Sequence, residues 1–147
     1  MNKTIRYSSF ENKFEVIYRN EIPTIQMPPH THNAIELYIN LTPLSNILLG
    51  DNVMPLKENS LLIIPSYCIH QFTQLPDREY ERYIITISTE WLENFIADNK
   101  RYSYFTDTKN PIVITLDVKQ KALLLNRMQD FIACKNNDFA SASASIS

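Results

Sequence analysis

The amino-acid sequence predicts a mainly β domain, a sandwich or barrel of short strands, followed by two C-terminal α-helices. Three observations carry that expectation. Short β-branched and aromatic runs, broken by Pro, Asn and Asp, fill residues 1–88 with no helical pattern between them. The run from Ala34 to Leu41 alternates: Ile35, Leu37, Ile39 and Leu41 share one face, and Ala34, Glu36, Tyr38 and Asn40 the other. Residues 89–135 then change to a helical period.

Each element follows in order. Residues 1–13 read as an N-terminal arm carrying Arg6 and Lys13, and Phe14–Tyr18 as the first strand. After Ala34–Leu41 come Ile47–Leu49, Ser60–Ile64, Ile69–Thr73 and Arg82–Ser88. Pro28-Pro29, Pro43, Gly50-Asp51-Asn52, Glu58-Asn59, Pro65 and Pro76-Asp77 punctuate them. The alternating charges of Asp77 to Arg82 read as a solvated hairpin. Thr89 is the expected cap of the first helix, whose apolar stripe is Trp91, Leu92, Phe95 and Ile96. Ile112–Leu116, after Pro111, reads as an edge strand, and Asp117 as the cap of the second helix. That helix repeats Leu124, Met128, Phe131 and Ile132 at i, i+4, i+7 and i+8, widened by Leu123 and Leu125. The stripe either packs on the β body or meets a partner helix. The chain divides into a β body with its arm (1–88) and a helical segment (89–147) packed on it.

Composition excludes several classes. A chain of 147 residues with 44% hydrophobic and 20% charged residues fits one globular domain. Its single glycine, Gly50, excludes a Rossmann fingerprint and a Walker loop, which need several. A net charge of −2 argues against a chain that grips nucleic acid by itself. The longest aliphatic run, Leu61 to Ile64, cannot span a bilayer, and Met1 to Arg6 does not resemble a signal peptide. Cys68 and Cys134 are then expected as reduced thiols in the cytoplasm.

The three histidines concentrate the chemistry. In an extended chain His30, His32 and Glu36 project the same way. His70 starts another strand, so three imidazoles and a carboxylate can meet in one cavity. That donor set suits Zn, Fe, Mn or Ni. It serves equally as the lining of a polar pocket. Tyr38, Phe72 and Gln74 share the faces of these residues and are further lining candidates, and Cys68 lies nearby.

At these residues the sequence resembles the cupin superfamily. His30-Thr31-His32 followed by Glu36 matches the first cupin motif, and Pro65, Tyr67 and His70 stand at the places of Pro-x-Gly-x-x-His in the second. Thr24, Pro43, Asn59 and Tyr67 stand where cupins carry Gly. Asn59 suits a left-handed turn, whereas the turns at Pro43 and Tyr67 are expected to differ. A narrower likeness runs through His30–Ile39, Leu56–Pro65, His70-Gln71 and Tyr80–Leu92. These segments resemble the N-terminal sensor domain of AraC-type transcription regulators. The resemblance implies a cupin-type double-stranded β-helix that binds a small-molecule effector, such as a sugar or related metabolite, at His30, His32, Glu36, Tyr38, His70, Phe72 and Gln74. It implies helices for homodimerisation, placing Leu124, Met128, Phe131 and Ile132 at the interface. DNA would be reached only through a C-terminal helix-turn-helix region, no membrane is implied, and no cofactor is required. The chain thus reads as a sensor domain cut from a longer regulator. The competing reading is a small metal-dependent cupin enzyme, an isomerase or dioxygenase, with His30, His32, Glu36 and His70 as ligands.

Overall fold

In a computed structural model of the chain, the backbone is described for residues 2–8, 13–73, 75–97, 100, 103 and 107–146. Side chains are described for the same residues except 45 and 135–146. The fold comprises two compact units, Met1–Thr115 and Leu116–Ser147.

The first unit is built on two antiparallel sheets. The larger takes the order β1 (Lys3–Ser8), β2 (Phe14–Glu21), β8 (Tyr80–Ser88), β3 (Ala34–Asn40), β6 (Ser60–Ile64), β9 (Ile112–Thr115). The smaller takes the order β5 (Asn52–Leu56), β4 (Leu44–Leu49), β7 (His70–Phe72). Side chains from both sheets meet in one core: Tyr38, Leu62, Ile64 and Tyr80 from the first, Leu44, Ile47, Leu49 and Leu56 from the second. That shared core is what makes the two sheets a barrel wall.

Two strands escape the sequence reading. β1, read as part of an arm, pairs along its length with β2, from Lys3↔Asn20 to Ser8↔Glu15. β5 contains Pro55, which argues against a strand. It is tolerated because β5 is an edge strand and its register on β4 slips between Leu44 and Ile47, so the missing N–H breaks no ladder there. The β4–β5 hairpin closes through Gly50-Asp51, with Gly50 first and at φ 59°. The chain's one glycine is thus spent on a turn.

β3 shows why a central strand differs from a half-exposed one. It pairs with β8 on one side and β6 on the other, and both its faces are covered. Glu36, Tyr38 and Asn40 face the barrel interior. Ile35 faces outward and packs with Ile63 under Leu92 and Ile96 of α1 (Thr89–Ala97). The expected stripe of α1 therefore divides. Trp91 and Phe95 stay largely exposed, stacked on one another at 5.6 Å. The helix is capped one residue earlier than expected: Trp91 N–H donates to Ser88 Oγ at 3.4 Å, while the Thr89 hydroxyl donates to Ser66. Because α1 packs on the sheet and β9 pairs with β6, the first unit runs on past Ser88 to Thr115.

The turn at Tyr67 corrects another expectation. Tyr67 keeps the left-handed backbone of the glycine it stands for, at φ 61°, as Asn59 does at 58°. Such a backbone costs a non-glycine residue roughly 1–2 kcal/mol. Two hydrogen bonds hold it, Tyr67 N–H to the His32 carbonyl at 2.9 Å and Cys68 N–H to Pro65 at 3.2 Å. The side chain, 67% exposed, meets no crowding.

In the second unit, α2 spans Val118–Ile146. Asp117 caps it reciprocally: its carboxylate accepts from Gln120 N–H at 2.8 Å, and its own N–H donates to the Gln120 side chain at 3.0 Å. Leu124, Met128 and Phe131 are half-buried and Ile132 is buried, while Leu123 is exposed. No helix among the described residues is long and apolar enough to cross a membrane.

Candidate functional site

A short antiparallel bridge assembles the site. His30 and His70 exchange backbone hydrogen bonds at 3.2 and 3.1 Å, which brings the segment before β3 against β7. Their rings then meet edge to face with centroids 4.2 Å apart, and His32 lies 5.1 Å from His70. One ring nitrogen from each of His30, His32 and His70 falls within 4.8 Å of the others. Glu36 joins from β3: its Oε2 accepts from His32 Nε2 at 2.8 Å and lies 3.1 Å from His70 Nε2.

Glu36 is 8% exposed. Burial alone would raise its pKa, yet the neighbouring His32 and His70 imidazoles more than reverse this, to about 2. The same bond raises the pKa of His32 against its own desolvation. Burial, helped by Glu36, holds the proton on the Tyr38 phenol. Burial also pushes the Cys68 thiol up, away from a reactive thiolate. Cys68 and Cys134 are both free.

The residues present fit a divalent metal ion. His30 Nδ1 donates to the Pro28 carbonyl at 3.0 Å, and His70 Nδ1 to the Cys68 carbonyl at 2.9 Å. These carbonyls fix the tautomers that leave the Nε2 lone pairs free, the arrangement metal-bound histidines favour. His70 Nε2 is buried and makes no hydrogen bond, although a carboxylate oxygen sits beside it. A metal cation held between this imidazole and the carboxylate would be stabilising. His30, His32 and His70, with Glu36, would hold it.

Beside the cluster the barrel holds a cavity of about 470 Å³ that is partly open to solvent. His30, His70, Tyr38 and Phe72 line it, as the sequence leads one to expect; His32 and Glu36 do not. Gln74 lies outside the described residues. Ile47, Ile64 and Ile84 form its apolar wall, and the loop from Ile22 to Met27 borders it.

Sequence reasoning missed a polar end made by Arg19, Glu21, Tyr80 and Arg82. Tyr80 and Arg82 belong to the charge run read as a solvated hairpin, yet they are 1% and 5% exposed. Central placement of β8, between β2 and β3, buries them. The period-two spacing of Tyr80, Arg82 and Ile84 was the available signal.

Comparison with known proteins agrees with this geometry. The family model for the AraC-like ligand binding domain matches residues 15–145. No curated protein matches. Among solved structures, the cupin domain of Cnp3 from Schizosaccharomyces pombe is similar at a TM-score of 0.51 and 14% identity, over 64% of this chain and 65% of that one. A Cupin 2 conserved barrel domain protein from Salinispora arenicola gives 0.49 and 16%, over 67% and 85%. An rmlc-like cupin with a double-stranded β-helix fold from Methanocaldococcus jannaschii gives 0.49 and 13%, over 64% and 86%. At these identities the likeness concerns the fold alone, a cupin barrel.

Proposed function

The chain belongs to the family of AraC-like ligand binding domains, and from that premise we propose that it is the ligand-sensing, dimerising module of a transcription regulator. A small-molecule effector binds in the barrel. Its binding favours one arrangement of the helical segment, and a helix-turn-helix region of the same regulator reads that arrangement on DNA. The effector acts only as far as its affinity differs between the two arrangements. The module works in the cytoplasm as a homodimer, with Leu124, Met128, Phe131 and Ile132 at the interface. The observation that carries this reading is the barrel cavity of about 470 Å³, bordered by Tyr38, Phe72, His30 and His70. Such a volume is usual for a small-molecule site.

Two measurements test it. Native mass spectrometry of the chain, with a metabolite library in parallel thermal scans, is expected to find an organic ligand that raises Tm. A ligand at a hundred times its Kd adds about 2.7 kcal/mol. Light scattering should show a dimer that the Leu124→Asp, Met128→Asp double variant converts to monomer. An unshifted Tm across the library would remove the sensor reading, and an unchanged dimer would reject this stripe as the interface.

The three-histidine cluster favours a second reading, a small metal-dependent isomerase or dioxygenase. A bound metal would supply Lewis-acid chemistry there. Glu36 would orient His32, and the Pro28 and Cys68 carbonyls would hold the other two rings. Metal analysis of chain purified without chelator decides it. About one ion of Zn, Fe, Mn or Ni per chain, lost in His70→Ala, supports this reading. Substoichiometric metal, with unchanged stability in His32→Ala, removes it.

A further inference from the structure

The polar end of the cavity has an unusual charge pattern. Arg19 of β2 and Arg82 of β8 are direct cross-strand partners. Like charges so placed repel. One carboxylate, Glu21, stands between them, and one of its oxygens serves both. Oε1 lies 3.2 Å from Arg82 Nη2 and 3.6 Å from Arg19 Nη1. Arg82 also donates from Nη1 to the Tyr80 carbonyl at 2.9 Å, and its guanidinium lies 4.4 Å from the Tyr80 ring. Three donors remain buried without a partner: Arg19 Nε, Arg82 Nε and the Tyr80 hydroxyl. A buried donor left unmade costs roughly 1–3 kcal/mol, so three in one place point to an absent acceptor.

We propose that this end of the cavity binds the carboxylate of a small organic monoanion, on Arg19 and Arg82 with the Tyr80 hydroxyl as a further donor. The inference rests on the effector reading above and names the class of effector. Two guanidiniums against the Glu21 carboxylate leave one positive charge, which a monoanion balances and a phosphate dianion exceeds. The guanidinium fork matches a carboxylate with two parallel hydrogen bonds, where Glu21 now supplies a single shared oxygen. At the other end, Glu36 has its own counter-groups in His32 and His70. Between the two ends the wall is aromatic and aliphatic, from Phe72, Ile47, Ile64 and Ile84. Those four residues suit a partly apolar ligand body. Glu21 acts as an internal competitor. It closes β2 and leads into the loop that borders the cavity, so its displacement couples binding to that loop.

Calorimetric titration of the whole chain with benzoate, phenyl phosphate and neutral benzamide tests the proposal. Benzoate is expected to bind at least tenfold more tightly than benzamide. Arg19→Gln, at a partly exposed site that tolerates change, should lose most of that preference. Glu21→Gln should tighten benzoate binding at least fivefold by removing the competitor, a gain that misfolding cannot mimic. Benzamide binding as well as benzoate, or weaker benzoate binding in Glu21→Gln, overturns the carboxylate assignment while the sensor reading stands. Tighter binding of phenyl phosphate overturns it in favour of a phosphate. Failure of every probe in all three proteins also overturns it, and the metabolite-library scan then judges the sensor reading separately.

Discussion

Taking the chelator-treated protein from pH 5 to pH 2 is expected to cost about 3 kcal/mol of stability through Glu36 alone. The carboxyl titrates at 4.5 in an ordinary setting and at about 2 in the folded chain. Its folded pKa is the lower one, so its contribution is fully present above pH 4.5 and is lost as pH falls through about 2. His32 has the opposite sign. Its folded pKa lies above 6.5, so its contribution is present below 6.5 and lost as pH rises through the raised value. Both limbs express one interaction, the 2.8 Å bond between His32 and Glu36, and are not to be added. Urea unfolding of the wild type and Glu36→Gln across this range is the measurement. The difference between the two proteins should shrink toward both ends of the scale. A difference independent of pH would show that the imidazoles do not hold the Glu36 charge.

Leu62→Ala is expected to destabilise the chain by about 3 kcal/mol, within the 2–5 typical of such truncations. Leu62 is 0% exposed and belongs to the core where the two sheets meet. Its neighbour Ile63 points the other way, under α1, with Ile35, Leu92 and Ile96. Ile63→Val should therefore cost about 0.5–1.5 kcal/mol as well. Both losses are read from urea midpoints at constant m-value. A near-neutral Ile63→Val would mean that the outward face of β6 is not packed as the structure has it.

How much was legible follows from the kind of signal each residue carries. The histidine pair, Glu36 and His70 could be found because their spacing in extended chain sets a shared direction before any folding. Tyr38 and Phe72 followed from the same alternation. Asp117 was legible because capping is local, complete within Asp117 and Gln120. Thr89 misled because Ser88 is equally able to cap, and only the path of β8 into α1 chooses between them. Tyr67 misled because a turn held by His32 and Pro65 imposes a backbone that its own preference opposes.

By itself the sequence determined a β body followed by helices, the convergence of three histidines and a carboxylate, and the exclusion of phosphate-loop folds. These depend on periodicity, spacing and composition, which are properties of neighbours along the chain. The tertiary structure alone decided that β1 and β5 are strands, that β3 is covered on both faces, and that Arg82 and Tyr80 lie inside. Strand order does this: β8 runs between β2 and β3, so Arg82 faces Arg19 across 63 positions of sequence. Burial and charge pairing at that distance arise from which strands become neighbours, and no local pattern encodes that choice.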